Sequence, residues 1–128
     1  MRKDPRVYLL HMLECIRRIE AYTSEGEERF MRDTLIQDAV LRNLQVLGEA
    51  AKRVPESFRK RHPNIAWRGI SGMRDVITHD YEGVDFSRVW QVVQHDLPIL
   101  KQAILEILPE PESVIRELTG DPQSPAGE

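Results

Sequence analysis

Apolar residues recur along the chain at helical rather than strand spacing. Leu9, Met12-Leu13, Ile16 and Ile19 step by three and four, which places them on one face of a helix. Asp4 reads as its N-cap and Pro5 as its first helical position, and the helix is expected to end near Tyr22-Thr23. Ser24-Glu25-Gly26-Glu27-Glu28 forms a polar connection with a glycine break. A second stripe runs through Ile36, Val40, Asn43-Leu44, Leu47, Ala51 and Val54, with Gln37, Asp38, Arg42 and Gln45 largely off it. This helix begins between Glu27 and Asp33, with Asp33 either capping it or lying inside it. Pro55 ends it, because a proline pushes the preceding residue out of helical geometry.

Residues 55–64 read as a basic connection closed by Pro63-Asn64, with Phe58 anchoring it to the core. A third helix is expected from about Ala66 to Asp80, with Gly83 at its exit. Gly69 and Gly72 inside it cost about 1 kcal/mol each relative to alanine, so close approach by another element, a ligand or a second copy is expected there. A fourth helix opens at Asp85 as N-cap and buries Val89, Val92-Val93, Leu97, Leu100, Ile104 and Leu108. Pro98 in its middle should kink it. The pattern predicts an all-α, up-and-down bundle of four main helices plus short helical turns, over residues 1–108. An acidic, Pro-rich tail follows over 109–128. A helical turn fits Glu112–Leu118 in this tail, and its remainder is expected to be disordered.

Composition narrows the class. With 128 residues, 41% hydrophobic and 30% charged, the chain is expected to be one soluble domain. The single cysteine, Cys15, allows no internal disulfide and suits a reducing compartment. The start Met1-Arg2-Lys3-Asp4-Pro5 leads into no signal-type apolar run, and a cytoplasmic location without membrane association is expected. The net charge of -3 conceals an uneven distribution. Lys52, Arg53, Arg59, Lys60, Arg61, Arg68 and Arg74 face one acid, Glu56, whereas the tail is acidic. The basic stretch, with Arg59, Lys60, Arg61 and Arg68 as candidates for RNA binding, suits a phosphate backbone. An ordinary solvated face also explains it.

Candidate chemistry gathers between Trp67 and Tyr81. On a regular helix Ala66, Met73 and Ile77 lie within about 60° of Ile70 and would be buried with it. Arg74 and Tyr81 fall about 20° apart, Asp75 and His79 share the opposite flank, and Arg74 and His79 are separated by about 140°. One regular helix therefore cannot aim both at one small target, whereas two copies about a two-fold axis could share a cleft. Arginine offers a permanent forked charge for phosphate oxygens, and histidine moves a proton near neutral pH. Together they suffice for attack of a ribose 2′-hydroxyl on its neighbouring phosphate, a reaction that needs no metal. Asp75 could orient the imidazole of His79. The alternative is an ordinary Asp75–His79 surface pair, with Trp67 and Tyr81 as core edges.

Arg74-Asp75-Val76-Ile77-Thr78-His79-Asp80-Tyr81 resembles the Arg-x4-His-x-Tyr motif of the HEPN superfamily, in its HepT-like branch. Trp67-Arg68-Gly69-Ile70-Ser71-Gly72-Met73 resembles the run preceding that motif, and Asn43, Gly48 and Glu49 resemble the branch's Asn-x4-Gly-Glu. The likeness covers most of residues 5–108. It implies a dimeric helical bundle and a metal-independent endoribonuclease acting on tRNA or mRNA without a cofactor. Arg74 and His79 would be catalytic and Asp75 supporting. It also implies a type VII toxin–antitoxin system, in which an MNT-type nucleotidyltransferase antitoxin neutralises the toxin by binding it or by transferring AMP to Tyr81. The other reading is a non-catalytic helical module that binds RNA or protein and partners such a nucleotidyltransferase.

Overall fold

The computed structural model describes residues 4–72 and 83–120, and every regular element among them is helical. Helix α1 (Pro5–Tyr22) starts as expected: Asp4 accepts the Arg6 backbone N–H at 3.0 Å, and Pro5 occupies the first turn. Its buried face comprises Leu9, Met12, Leu13, Cys15, Ile16 and Ile19. Burial pushes the Cys15 thiol pKa above its ordinary value. Gly26, at φ +96°, takes a backbone conformation that side chains rarely adopt, and turns the chain into the six-residue α2 (Glu27–Arg32).

Asp33 separates α2 from α3 (Thr34–Arg53) rather than lying inside one long helix. Its backbone is extended, and its carboxylate accepts the N–H groups of Leu35 at 3.0 Å and Ile36 at 3.3 Å. Gln37 departs from the expected polar face: it is buried, and its amide donates to the carbonyls of Phe30 at 3.0 Å and Met31 at 3.1 Å. It thus satisfies the open end of α2. Asn43, also buried, donates to the Ala39 carbonyl at 2.9 Å. The α3 stripe packs chiefly against α1.

The Ile36 backbone N–H, followed by the Arg29 guanidinium at 3.0 Å, holds the Asp33 carboxyl below its ordinary 3.8. A group whose pKa falls on folding stabilises the fold above its unfolded value, and that contribution is lost as pH drops through the folded value. The Tm deficit of Asp33→Ala relative to wild type is therefore expected to be full at neutral pH and to shrink below 3.8. A deficit that stays constant across that range would contradict the assignment.

The segment after Pro55 is not an irregular connection. Glu56–Arg61 forms a short helix, α4, with Phe58 buried as expected. Residues 67–72 are helical (α5), with Trp67 and Ile70 buried. Ala66 precedes this helix and is exposed, because the chain enters the core through Ile65 instead. Asp85 caps α6 (Phe86–Gln91) by accepting the Ser87 and Arg88 N–H groups. The chain stays helical past Pro98 through a widened π turn, Val92–Asp96, in which the Leu97 N–H reaches back to the Val92 carbonyl. That extra residue relieves the ring's conflict with the preceding carbonyl ladder, and α7 (Leu97–Ile107) continues beyond it.

Phe30 links the halves: its ring sits 6.1 Å from Phe86 and 5.3 Å from Trp90. Helix α7 packs on α1, where Lys101 meets Glu20 at 3.0 Å. The expected turn near Glu112–Leu118 is a full helix, α8 (Pro111–Thr119). It rests on α1 through buried Pro111 and the exposed pairs Arg6–Glu117 and Arg17–Glu112, at 3.1 and 3.8 Å. No helix among the described residues is long and apolar enough to cross a membrane.

Candidate functional site: a basic helix and the approach to the Arg-His motif

Pro55 occupies the N-cap of α4, and Phe58 then turns inward while Lys60 and Arg61 point to solvent. Lys60 is 3.6 Å from Glu56, one turn back on the exposed surface. Arg59 is half-buried, and its Nε is buried without a hydrogen-bond partner. His62 ends the helix. Its N–H donates to the Arg59 carbonyl at 3.1 Å, and its own carbonyl accepts the Ile65 N–H at 3.3 Å and the Trp67 indole N–H at 3.0 Å. Trp67 therefore belongs to the core and also ties α5 to the end of α4. Arg68, next along α5, is exposed.

Of the four residues expected to meet RNA, Lys60, Arg61 and Arg68 are on the surface and Arg59 is partly withdrawn. Arg74, Asp75, His79 and Tyr81 lie outside the described residues, as do Met73 and Ile77 of the expected apolar stripe. The described chain thus reaches the motif along α5. Gly69 and Gly72 show no close approach among the described residues: a Cβ at Gly69 would meet only the Ala66 Cβ, at 4.0 Å, and one at Gly72 nothing within 4 Å. The expected tight contact at these glycines is not made by the rest of the described fold.

Beside α5 runs an apolar groove of about 330 Å³, floored by Ile65, Ile70, Leu97 and Leu100 and edged by Asn64 and Asp96. Ile99 on its wall is 70% exposed. This side chain lies off the Leu97–Leu100–Ile104 stripe, so helical periodicity does not single it out; a large apolar residue on an otherwise polar face is the available signal. His62 is likewise absent from the sequence expectations, although Phe58 and Arg61 are among them; the signal for it is the four-residue spacing of two rings at a basic helix. Among the described residues no three His, Cys, Asp or Glu side chains gather as metal ligands would.

Comparison with known proteins places this arrangement. The family model described as ribonuclease HepT-like matches residues 12–107. A protein of Methanocaldococcus jannaschii named "Gamma-glutamylcyclotransferase and putative RNase" is 43% identical over 86% of the chain, which spans 50% of that protein. A "Putative RNase" of Caldanaerobacter subterraneus subsp. tengcongensis is 38% identical over 83% of the chain and 96% of its own length. A "Probable ribonuclease HepT" of Thermococcus cleftensis is 41% identical over 79% and 93% respectively. No solved structure matches the chain significantly. The matched region takes in α3, the basic helix, the whole Trp67–Tyr81 stretch and α7, so the chain belongs to the ribonuclease HepT-like family.

Proposed function

We propose that Arg74 and His79 carry the ribonuclease chemistry of the family on this chain, as a metal-independent endoribonuclease. The observation that carries the reading is the complete Arg74-x4-His79-x-Tyr81 motif, directly following a helical approach in a chain of this family. His79 takes the proton from a ribose 2′-hydroxyl as its oxygen attacks the adjacent phosphorus. Arg74 holds the charge on the phosphorane. The P–O5′ bond breaks and the 5′-oxygen takes a proton from water, to which His79 returns its own, giving a 2′,3′-cyclic phosphate and a 5′-hydroxyl. Asp75 orients the imidazole, and Lys60, Arg61, Arg68 and the half-buried Arg59 supply cations for the RNA backbone.

The separation of about 140° that a regular helix would give Arg74 and His79 favours a cleft shared by two copies of the chain. The groove beside α5 supports that arrangement, since it leaves apolar surface uncovered next to the approach to the motif. A nucleotidyltransferase antitoxin would act on the same site. The Tyr81 hydroxyl would attack the α-phosphorus of ATP and expel pyrophosphate, and the attached AMP would add negative charge where RNA must bind. These properties describe a cytoplasmic toxin of a toxin–antitoxin pair.

The purified protein should cut tRNA or mRNA in the presence of EDTA and leave 2′,3′-cyclic phosphate ends. Intact RNA after prolonged incubation, or cleavage that stops on chelation, would overturn the reading. Given ATP and a co-expressed MNT-type nucleotidyltransferase, wild type should gain the mass of AMP while Tyr81→Phe does not.

A further inference from the structure

We infer that His62, backed by Phe58 at the end of α4, is a stacking platform for one unpaired base of single-stranded RNA. The inference rests on the ribonuclease reading for its substrate and assigns a contact outside the Arg74–His79 motif. The two rings lie 4.6 Å apart between centroids, tilted by 39°. The Arg61 guanidinium carbon stands 5.4 Å from the centre of the Phe58 ring. Phe58 is fixed in the core, whereas His62 is only half-buried.

The imidazole is held before any ligand arrives. Three hydrogen bonds fix the His62 backbone, through its N–H to Arg59 and through its carbonyl from Ile65 and Trp67. Phe58 supports the ring itself. A flat ring held in place loses little freedom on binding, which favours a stacked partner. Its neighbours in the chain, Lys60 and Arg61, are exposed cations, and Arg68 is exposed at the start of α5. Glu56 is the acid of this helix, and it already faces Lys60.

A partly exposed histidine flanked by cations matches how single strands are held, with phosphates on basic side chains and bases on flat rings. In duplex RNA the base faces are covered by their neighbours, so a paired base cannot use such a platform. A purely packing role for His62 would require only its bulk against Phe58, which an aliphatic side chain also supplies.

The test uses a fluorescent 2′-O-methyl RNA strand, which the protein cannot cleave, and the same strand annealed to its complement. Binding is read by anisotropy for wild type, His62→Leu and His62→Phe, with thermal melting as a check on folding. His62→Leu keeps bulk on Phe58 and the backbone hydrogen bonds but removes the flat face. It should weaken single-strand binding by about 5- to 150-fold, and duplex binding little. His62→Phe should bind the single strand within about three-fold of wild type, since stacking tolerates any aromatic face. Equal binding by all three proteins would overturn the platform, as would an equal loss on single strand and duplex, or a loss with both variants. Failure of wild type to cut ordinary RNA would instead count against the ribonuclease reading, and the methylated strand reports the platform independently of it.

Discussion

Replacing His79 with alanine is expected to slow RNA cleavage by about 10²- to 10⁴-fold, the usual worth of a positioned proton-transfer group. Arg74→Ala should cost about 10²- to 10³-fold, comparable to removing a donor that stabilises transition-state charge. Both losses should fall on the chemical step, so single-turnover rates are the measurement, with RNA affinity followed separately. Thermal melting of both variants separates a catalytic loss from a failure to fold. The pair also tests the shared cleft. Mixed Arg74→Ala and His79→Ala chains should regain part of the activity if each cut uses an arginine from one copy and a histidine from the other. If mixing restores nothing while the single variants are inactive, each chain works with its own pair, and the helix must depart from regular geometry near Thr78–Tyr81. Full cleavage by His79→Ala would remove the catalytic assignment altogether.

Phe30→Ala should be the most damaging single change to the fold, at about 3–5 kcal/mol. Phe30 is 0% exposed, and its contacts with Phe86 and Trp90 connect α2 to α6. A six-residue helix has no stability of its own in water, so α2 depends on this side chain and on the Gln37 amide at its end. Urea unfolding should show a lower midpoint with the slope nearly unchanged. A loss below about 1 kcal/mol would mean that the neighbouring rings collapse into the space, against the expectation for a rigid aromatic cluster. Phe30→Leu should recover much of the loss, because it refills the volume without the edge-on ring contact.

Where the fold was legible, local rules were enough. Asp4 and Asp85 announce helix starts because a carboxylate ahead of an apolar stripe has one obvious set of partners. The stripes of α1, α3 and α7 follow from spacing alone. Asp33 was open in both directions, since what decides between cap and interior is tertiary: Gln37 closes off the carbonyls of Phe30 and Met31, and Phe30 finds its place between Phe86 and Trp90. Gln37 falls off the apolar stripe because periodicity ranks glutamine as polar and does not see the carbonyls it satisfies. The basic run Glu56–Arg61 reads as a connection because prolines bracket it and only Phe58 points inward. Pro98 signals a disturbance of the helix, and the form it takes, a widened turn over Val92–Asp96, depends on how α6 and α7 pack.

The candidate site divides in the same way. The motif from Arg74 to Tyr81 is a matter of residue identity and order, which a sequence carries in full. The tilted Phe58–His62 ring contact and the groove beside Ile99 depend on which face each turn presents, and for short helices that is decided by contacts distant in sequence.

Cys15 has a practical consequence. It is the only cysteine of the chain, and it is buried with its thiol held in the protonated form. The thiolate is the form that reacts with alkylating probes. A single cysteine introduced on the surface, at Ser57 on α4 or Gln102 on α7, would therefore take a spin or fluorescent label ahead of the native thiol. Distances between two copies, or between α4 and a bound RNA end, then become measurable in solution without first removing Cys15.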